Sequence, residues 1–64
     1  MPERGLRVST VRLPIPHPGG LYETMVFPTG KWNDLYCERY ETEDAAKEGH
    51  RRVVEMVLSG EISA

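Results

Sequence analysis

Three reactive side chains occupy positions where the hydrophobic pattern predicts apolar ones. Glu23 falls in phase with Met25, Cys37 lies two residues after Leu35, and His50 lies on the apolar stripe of the C-terminal segment. A carboxylate, a thiol and an imidazole that meet in one interior could serve as acid, nucleophile and base. His50, Glu23 and Cys37 are therefore the candidates for catalysis.

A structural hydrogen bond explains Glu23 and His50 more simply than catalysis does. A carboxylate in an apolar interior is unfavourable unless it is paired, so we expect these two side chains to bond each other. Gly49 supports such a close approach, because glycine in a helix interior is tolerated where a backbone must pack tightly. A backbone amide or a tyrosine hydroxyl is the alternative partner for Glu23. If the strand faces are reversed, Glu23 is exposed, and the side chains that point to the helix are Tyr22, Thr24 and Val26.

A metal site is the weakest chemical interpretation of these residues. His17, Cys37 and His50 are the only histidines and cysteine of the chain. They lie far apart in sequence and lack the paired spacing that is typical of zinc ligands. We therefore expect neither a metal nor another cofactor, and we favour a non-enzymatic role.

The elements that must position these residues are three strands and one helix. Runs rich in β-branched and aromatic residues predict strands over residues 6–15, 21–27 and 35–40, and the short connection makes the last two a hairpin. A helix is predicted over residues 43–58. The expected fold class is α+β, with a three-stranded antiparallel sheet followed by a helix on one of its faces (β-β-β-α). Residues 1–64 form one small domain.

The predicted helix has clear signals at both ends. Thr42 is a good N-cap with acidic residues after it, and Gly60 is in the usual position to end a helix. The apolar stripe consists of Ala46, His50, Val53 and Val57. The charged residues lie opposite, which is typical of a solvated face.

The first strand has an irregular pattern. Val11, Leu13 and Ile15 alternate with other residues, but Val8 is out of phase with them. This predicts either a bulge near Ser9 or a strand that is apolar on both faces. The prolines at 14, 16 and 18 are expected to end the strand, since proline donates no backbone hydrogen bond.

A single helix covers one face of the sheet, and the other face is expected to carry three tyrosines. Tyrosine is enriched where a surface is buried against a partner but stays partly wet. We therefore predict a homodimer formed through this tyrosine-bearing face. Cross-strand packing without a partner is the alternative. The candidate binding residues are Tyr22, Tyr36, Tyr40, Arg12 and the exposed loop residue His17.

Composition excludes several classes of protein. The chain has 64 residues and a net charge of −2, so binding to nucleic acid, which favours strongly basic proteins, is not expected. No segment is apolar over the length of a membrane span. With one cysteine and no apolar leader at the N-terminus, the expected location is the cytoplasm, of the host cell if the protein is encoded by a phage.

Four motifs along the chain resemble a family of short, uncharacterised proteins encoded by actinobacteriophages and some of their bacterial hosts. The pattern is S-T-V-x-L followed by His17, then (F/Y)-E-T-M-V-F, then C-x-R-Y-x-T, then A-x-x-G-H-x-x-V-V. It covers about residues 8–58, with Pro14 and Pro16 where the family tends to have Gly and Asp. The residues that match it are Ser9, Thr10, Val11, Leu13, His17, residues 23–27, Cys37, Arg39, Tyr40, Thr42, Ala46, Gly49, His50, Val53 and Val54.

The resemblance implies an origin and carries no activity. The expected function is a small binding or accessory protein of phage type, which acts by self-association or by contact with a host or phage protein. The alternatives are a small ligand-binding or hydrolytic domain that uses His50 and Glu23, and a minor component of the virion.

Overall fold

The computed structural model describes residues 2–3 and 5–63, without the side chains of residues 2, 3, 16 and 17. It confirms the α+β class, with an antiparallel sheet followed by one helix, and it adds a two-residue strand before the three that the sequence predicts. The elements are β1 (Pro2–Glu3), β2 (Leu6–His17), β3 (Gly20–Pro28), β4 (Tyr36–Tyr40) and α1 (Glu43–Leu58).

Within the described residues the sheet has the order β1-β2-β3-β4, with every pair antiparallel. Each strand thus lies beside its neighbour in sequence, as expected for a chain that has only short connections. Val26 in β3 is paired with Val8 in β2 and with Tyr36 in β4. α1 contacts β2, β3 and β4 and covers one face of the sheet.

The turn between β2 and β3 depends on Gly20. Its φ of 135° belongs to the region that L-residues with side chains avoid. A Cβ at this position would also overlap the backbone carbonyl of Tyr40. Glycine here therefore lets the end of β4 approach the start of β3.

The irregularity of β2 lies later in the strand than predicted. The pairing with β3 is regular from Leu6 to Arg12, and the register shifts between Arg12 and His17. The predicted bulge near Ser9 is therefore wrong, and the strand continues past two prolines to His17. Val8 is out of phase with Val11 because β2 carries apolar side chains on both faces, which is the second of the two predicted explanations.

The helix begins and ends as its capping residues predict. Thr42 is extended (φ −125°, ψ 157°), and its Oγ1 accepts a hydrogen bond from the amide of Ala45 at 3.1 Å. Gly60 has a φ of 84°, and its amide donates to the carbonyl of Val57. The chain then folds back, since the Ile62 amide donates to the Met56 carbonyl and the Ile62 side chain is buried.

The core lies between α1 and one face of the sheet. Its fully enclosed members come from the first half of β2, the centre of β3 and the buried stripe of the helix. Tyr36, Val54 and Met56 pack around it while half-buried. The buried residues of this cluster are Leu6, Val8, Val26, Val53, Val57 and Ile62.

The expected assignment of the strand faces is wrong. The side chains of Tyr22, Thr24 and Val26 lie on the face that α1 covers, and Glu23 and Met25 lie on the opposite one. Both faces of β3 carry apolar residues, so alternation alone does not distinguish them. This reversal moves to the other side every predicted site residue in the sheet whose side chain the structure describes.

Of the residues that the structure describes, none form a helix long and apolar enough to cross a lipid bilayer.

Candidate functional site

The three candidate catalytic side chains do not meet. Glu23 and Cys37 lie on the uncovered face of the sheet, whereas the His50 side chain extends from α1 towards the opposite, covered face. The predicted Glu23–His50 hydrogen bond is therefore wrong, and so is a site in which Cys37 and His50 share a substrate or a zinc ion. The sheet itself separates the two groups.

Glu23 is paired with Arg39 instead. The Nε of Arg39 donates to Oε2 of Glu23 at 2.7 Å, and the two residues are direct cross-strand neighbours. Glu23 is only 9% exposed, so a charged partner is what makes its position tolerable. A second nitrogen of Arg39 donates to the carbonyl of Pro18 at 3.3 Å, which ties β4 to the turn between β2 and β3.

Cys37 is accessible, yet its surroundings make it a poor nucleophile. Its Sγ lies 3.5 Å from Oε2 of Glu23. Partial burial raises the pKa of the Cys37 thiol, and the nearby Glu23 carboxylate raises this pKa further. The reactive thiolate is therefore scarce at neutral pH.

Aromatic residues and an arginine stack at one end of the same face. The guanidinium of Arg7 lies 5.1 Å from the ring centre of Phe27 and 5.9 Å from that of Trp32. The two rings are 6.2 Å apart and tilted by 51°. These distances fit cation–π and aromatic contacts. Phe27 is buried in this stack, whereas Trp32 is 81% exposed.

We call the side of the sheet away from α1 the open face. Its apolar content is high for a surface that no element of the described chain covers, since Val11 is 48% exposed and Met25 is half-buried. Its residues are Arg7, Ser9, Val11, Glu23, Met25, Phe27, Cys37 and Arg39, with Trp32 at one end.

A chain of hydrogen bonds joins the sheet to the helix on the covered face. Oγ1 of Thr10 lies 2.6 Å from Oγ1 of Thr24 and 2.6 Å from Nδ1 of His50. Thr24 is fully buried and His50 is half-buried. Nδ1 of the helix histidine thus bonds the Thr10 hydroxyl rather than the predicted carboxylate.

An open-sided pocket of about 400 Å³ adjoins His50. We call it the helix-side pocket. It lies between the first turns of α1 and the neighbouring parts of β2 and β3. It is lined by Thr10, Val11, Arg12, Tyr22, Glu43, Ala46, Lys47 and His50.

The three tyrosines of the predicted dimer surface are not on a free face. Tyr40 is 7% exposed and packs against Gly49, where a Cβ would overlap its ring and hydroxyl. Tyr36 is half-buried, and Tyr22 lines the helix-side pocket. The tyrosine-bearing face is the one that α1 covers, so the prediction of a dimer through this face is wrong.

Tyr40 is the residue for which Gly49 is needed. Burial raises the pKa of Tyr40, which keeps its hydroxyl neutral. That hydroxyl is fully buried and makes no hydrogen bond of normal geometry with a described residue, although Thr24 and Glu38 lie close enough to influence its pKa. The prediction that Gly49 permits close packing is confirmed, although a tyrosine ring, rather than the Glu23–His50 pair, occupies the space.

A second ion pair links the helix to β4. Arg52 donates to both carboxylate oxygens of Glu38, and the Tyr36 hydroxyl donates to Oε2 of Glu38 at 2.6 Å. The Arg52 guanidinium, helped by the Tyr36 hydroxyl, lowers the pKa of Glu38 from 4.5 to about 2. This carboxylate is ionised at any physiological pH.

The structure places one of the two remaining predicted binding residues. Arg12 lines the helix-side pocket and is exposed. The side chain of His17 lies outside the described residues. Among the histidine, cysteine and acidic side chains that the structure describes, no group is arranged to hold a metal ion.

Sequence reasoning missed three residues that form contacts at these sites: Thr10, Thr24 and Arg39. Threonines in strands carry no signal of which hydroxyls will meet. Arg39 did carry a signal, since opposite charges at facing positions of a hairpin stabilise each other. Aligning β3 with β4 would have placed Arg39 beside Glu23.

Comparison with known proteins gave no match to a family model, to a curated protein or to a solved structure.

Proposed function

We propose that this chain is a small non-enzymatic binding protein that acts by self-association, with the open face as its contact surface. The observation that carries the proposal is that α1 covers one face of the sheet, while the other face presents apolar and aromatic side chains to solvent. Contiguous apolar surface of this kind marks interaction sites in soluble proteins.

The composition of the open face suits an interface. Trp32 and Arg7 belong to residue types that dominate binding energy in protein contacts. Met25 supplies apolar area between the aromatic end and the Glu23–Arg39 pair, and Val11 lies beside Glu23. An apolar centre with polar groups around it is the common pattern of such contacts.

A second copy of the chain fits this surface. The molecule measures 30 × 22 × 16 Å, so the area of its broad face is of the same order as the roughly 800 Å² per partner of a standard interface. Glu23 and Arg39 neutralise each other, and Arg7 is held over two rings. Two open faces can therefore meet with little repulsion between like charges, as a twofold dimer requires.

Association would also stabilise the fold. A domain of this length buries a small share of its surface, and domains of this size often depend on a disulfide, a metal or a partner. The lone Cys37 leaves no internal disulfide. A partner chain that binds the folded state raises its stability by mass action.

A hydrolytic function has less support. His50 and Glu23 lie on opposite faces, and the raised pKa of Cys37 opposes its use as a nucleophile. The geometry therefore favours binding over catalysis.

An accessory role of this type fits the phage origin that the sequence resemblance implies. A place in the virion is the alternative setting for the same contact surface. Mass spectrometry of purified particles tests it, because a virion component would be found at a fixed number of copies per particle.

Light scattering after size-exclusion chromatography tests self-association directly. We expect the mass of a dimer at about 100 μM protein and the mass of a monomer on sufficient dilution. Trp32 is the only tryptophan, so its fluorescence emission should shift to longer wavelength as the dimer separates and the ring returns to water.

Two matched variants locate the contact. Val11→Lys places a charge on the open face and should give a monomer at every concentration. Leu58→Lys makes the same kind of change at the exposed end of α1, where 44% of Leu58 is accessible, and should leave the dimer intact. A wild-type monomer at millimolar concentration, or equal effects of the two variants, would overturn the proposal.

A further inference from the structure

We propose that the helix-side pocket is a binding site for a small organic monocarboxylate with an apolar or aromatic body. This site lies on the opposite side of the sheet from the open face, so the inference does not depend on the proposed self-association. It rests on the shape of the pocket, on the free nitrogen of His50 and on two cations at the rim.

The walls of the pocket suit a hydrocarbon body. Ala46 and Tyr22 contribute apolar surface between the strands and the first turns of α1, and Val11, whose side chain lies on the open face, borders the pocket. A volume of about 400 Å³ lies in the range of small-molecule sites, which are lined mostly by apolar groups with a few polar ones.

The hydrogen-bond chain from the sheet orients the His50 ring. Thr24 is fully buried, and its hydroxyl hydrogen needs an acceptor. It has one if Thr24 donates to Thr10 and Thr10 donates to Nδ1 of His50. In that arrangement the proton of the ring is on Nε2.

The Nε2–H group of His50 is then available to a ligand. No described residue forms a hydrogen bond with this nitrogen, and His50 lines the pocket. A donor fixed in this way selects an acceptor such as a carboxylate oxygen. Its orientation is set by the sheet before the ligand arrives, which reduces the entropy that binding must overcome.

Two cations stand at the rim of the pocket. Arg12 is exposed and has no ion-pair partner among the described residues. Lys47 is paired with Glu43 at 3.3 Å, but both side chains are largely exposed, so the pair is weak. A guanidinium suits bidentate contact with a carboxylate. Arg12 thus supplies the net positive charge of the rim, because the Glu43 carboxylate, which also lines the pocket, offsets the charge of Lys47.

Phosphate is a less suitable ligand than a carboxylate with an apolar body. The cations would attract either anion, but a free phosphate leaves the Tyr22 and Ala46 walls unused. An apolar molecule without charge leaves Arg12 and the His50 donor unused. The apolar walls together with the Arg12 charge and the His50 donor therefore favour a monocarboxylate with an apolar body.

Titration of ¹⁵N-labelled protein with phenylacetate, followed by amide chemical shifts, tests the proposal. We expect a dissociation constant of about a millimolar, with the largest shifts at residues 10–12, 22 and 46–50. Inorganic phosphate and the neutral analogue phenylacetamide should each bind at least five-fold more weakly. Equal binding of phosphate, or shifts spread over the whole surface, would overturn the proposal.

Substitutions separate the parts of the site. Arg12→Gln and His50→Gln should each weaken phenylacetate binding several-fold. The binding of the neutral phenylacetamide should change much less in Arg12→Gln. Lys31→Gln removes the same charge from an exposed loop residue and serves as the control, with unchanged binding expected. If Arg12→Gln and Lys31→Gln have equal effects, the attraction is general electrostatics and the proposed site is wrong.

Discussion

The ring of Tyr40 occupies the space that a Cβ on residue 49 would need, so the contact between β4 and α1 requires glycine at that position. Gly49 lies in the interior of a helix, where glycine is less favourable than alanine by about 1 kcal/mol. Glycine thus lowers the intrinsic stability of the helix but allows the helix and the sheet to pack more closely.

Gly49→Ala should destabilise the protein despite the better helix propensity of alanine. The added methyl group must displace a buried ring, and overpacking of this kind typically costs about 1–3 kcal/mol. Urea denaturation followed by circular dichroism measures the loss. The double variant Gly49→Ala/Tyr40→Leu, which removes the obstructing ring, should recover part of it, and a more stable Gly49→Ala single variant would contradict the packing described.

The Glu38–Arg52 pair should make stability depend on acid. The pKa of Glu38 is lowered from 4.5 to about 2, so its contribution is present above pH 4.5 and is lost as the pH falls towards 2. Both partners are partly exposed, so we expect a contribution of about 1 kcal/mol at most. Thermal unfolding between pH 2 and pH 6 measures it.

Glu38→Gln should flatten this acid dependence and lower stability at pH 6. Glu61→Gln is the matched control, because Glu61 is exposed and has no ion-pair partner among the described residues. All proteins are compared at one low concentration, so that self-association does not alter the result. Equal acid profiles for wild type and Glu38→Gln would show that the pair contributes nothing to stability.

Cys37 should react slowly with iodoacetamide in dilute, monomeric protein, in which it is exposed. Its raised pKa reduces the thiolate fraction, so at pH 8 we expect alkylation several-fold slower than in the urea-unfolded chain. Glu23→Gln should speed the reaction, since the carboxylate is one cause of the shift. Glu38→Gln changes a carboxylate on the other face of the same strand and should leave the rate unchanged, and a fast reaction in wild type would refute the explanation.

Thr10 should be important for stability because its hydroxyl connects two groups. Thr10→Val keeps the shape of the side chain and leaves both Thr24 and His50 without their partner, which should cost about 1–3 kcal/mol. In the Thr10→Val background, Thr24→Val should lower the stability less than it does in wild type, because it removes the Thr24 hydroxyl that has already lost its partner. Thr29→Val, in an exposed turn, is the control, and additive effects would rule out the hydroxyl pair.

The helix could be predicted from sequence because its signals are local. Thr42 and Gly60 act on backbone groups within a few residues of themselves, and the stripe from Ala46 to Val57 needs only the period of the helix. The predicted range of 43–58 is the observed one. No knowledge of the sheet was required.

The orientation of the sheet could not be predicted in the same way. β3 has Met25 and Phe27 on one face and Tyr22 and Val26 on the other, so both faces are apolar enough to be a core. What decides between them is tertiary: Val8 pairs with Val26, Leu6 lies in the same buried cluster, and the ring of Tyr40 fits against Gly49. A one-residue error in phase then exchanged the two faces and misplaced Glu23 relative to His50.

The prolines of β2 have an effect beyond the single molecule. β1 has two residues and β2 has twelve, so most of β2, including an arm formed by residues 13–17, lies at an edge of the sheet. A long strand at a margin invites other chains to add to it and to grow into fibrils. Pro14 and Pro16 have no amide hydrogen to offer, and the register there is irregular, so this arm is a poor template for aggregation.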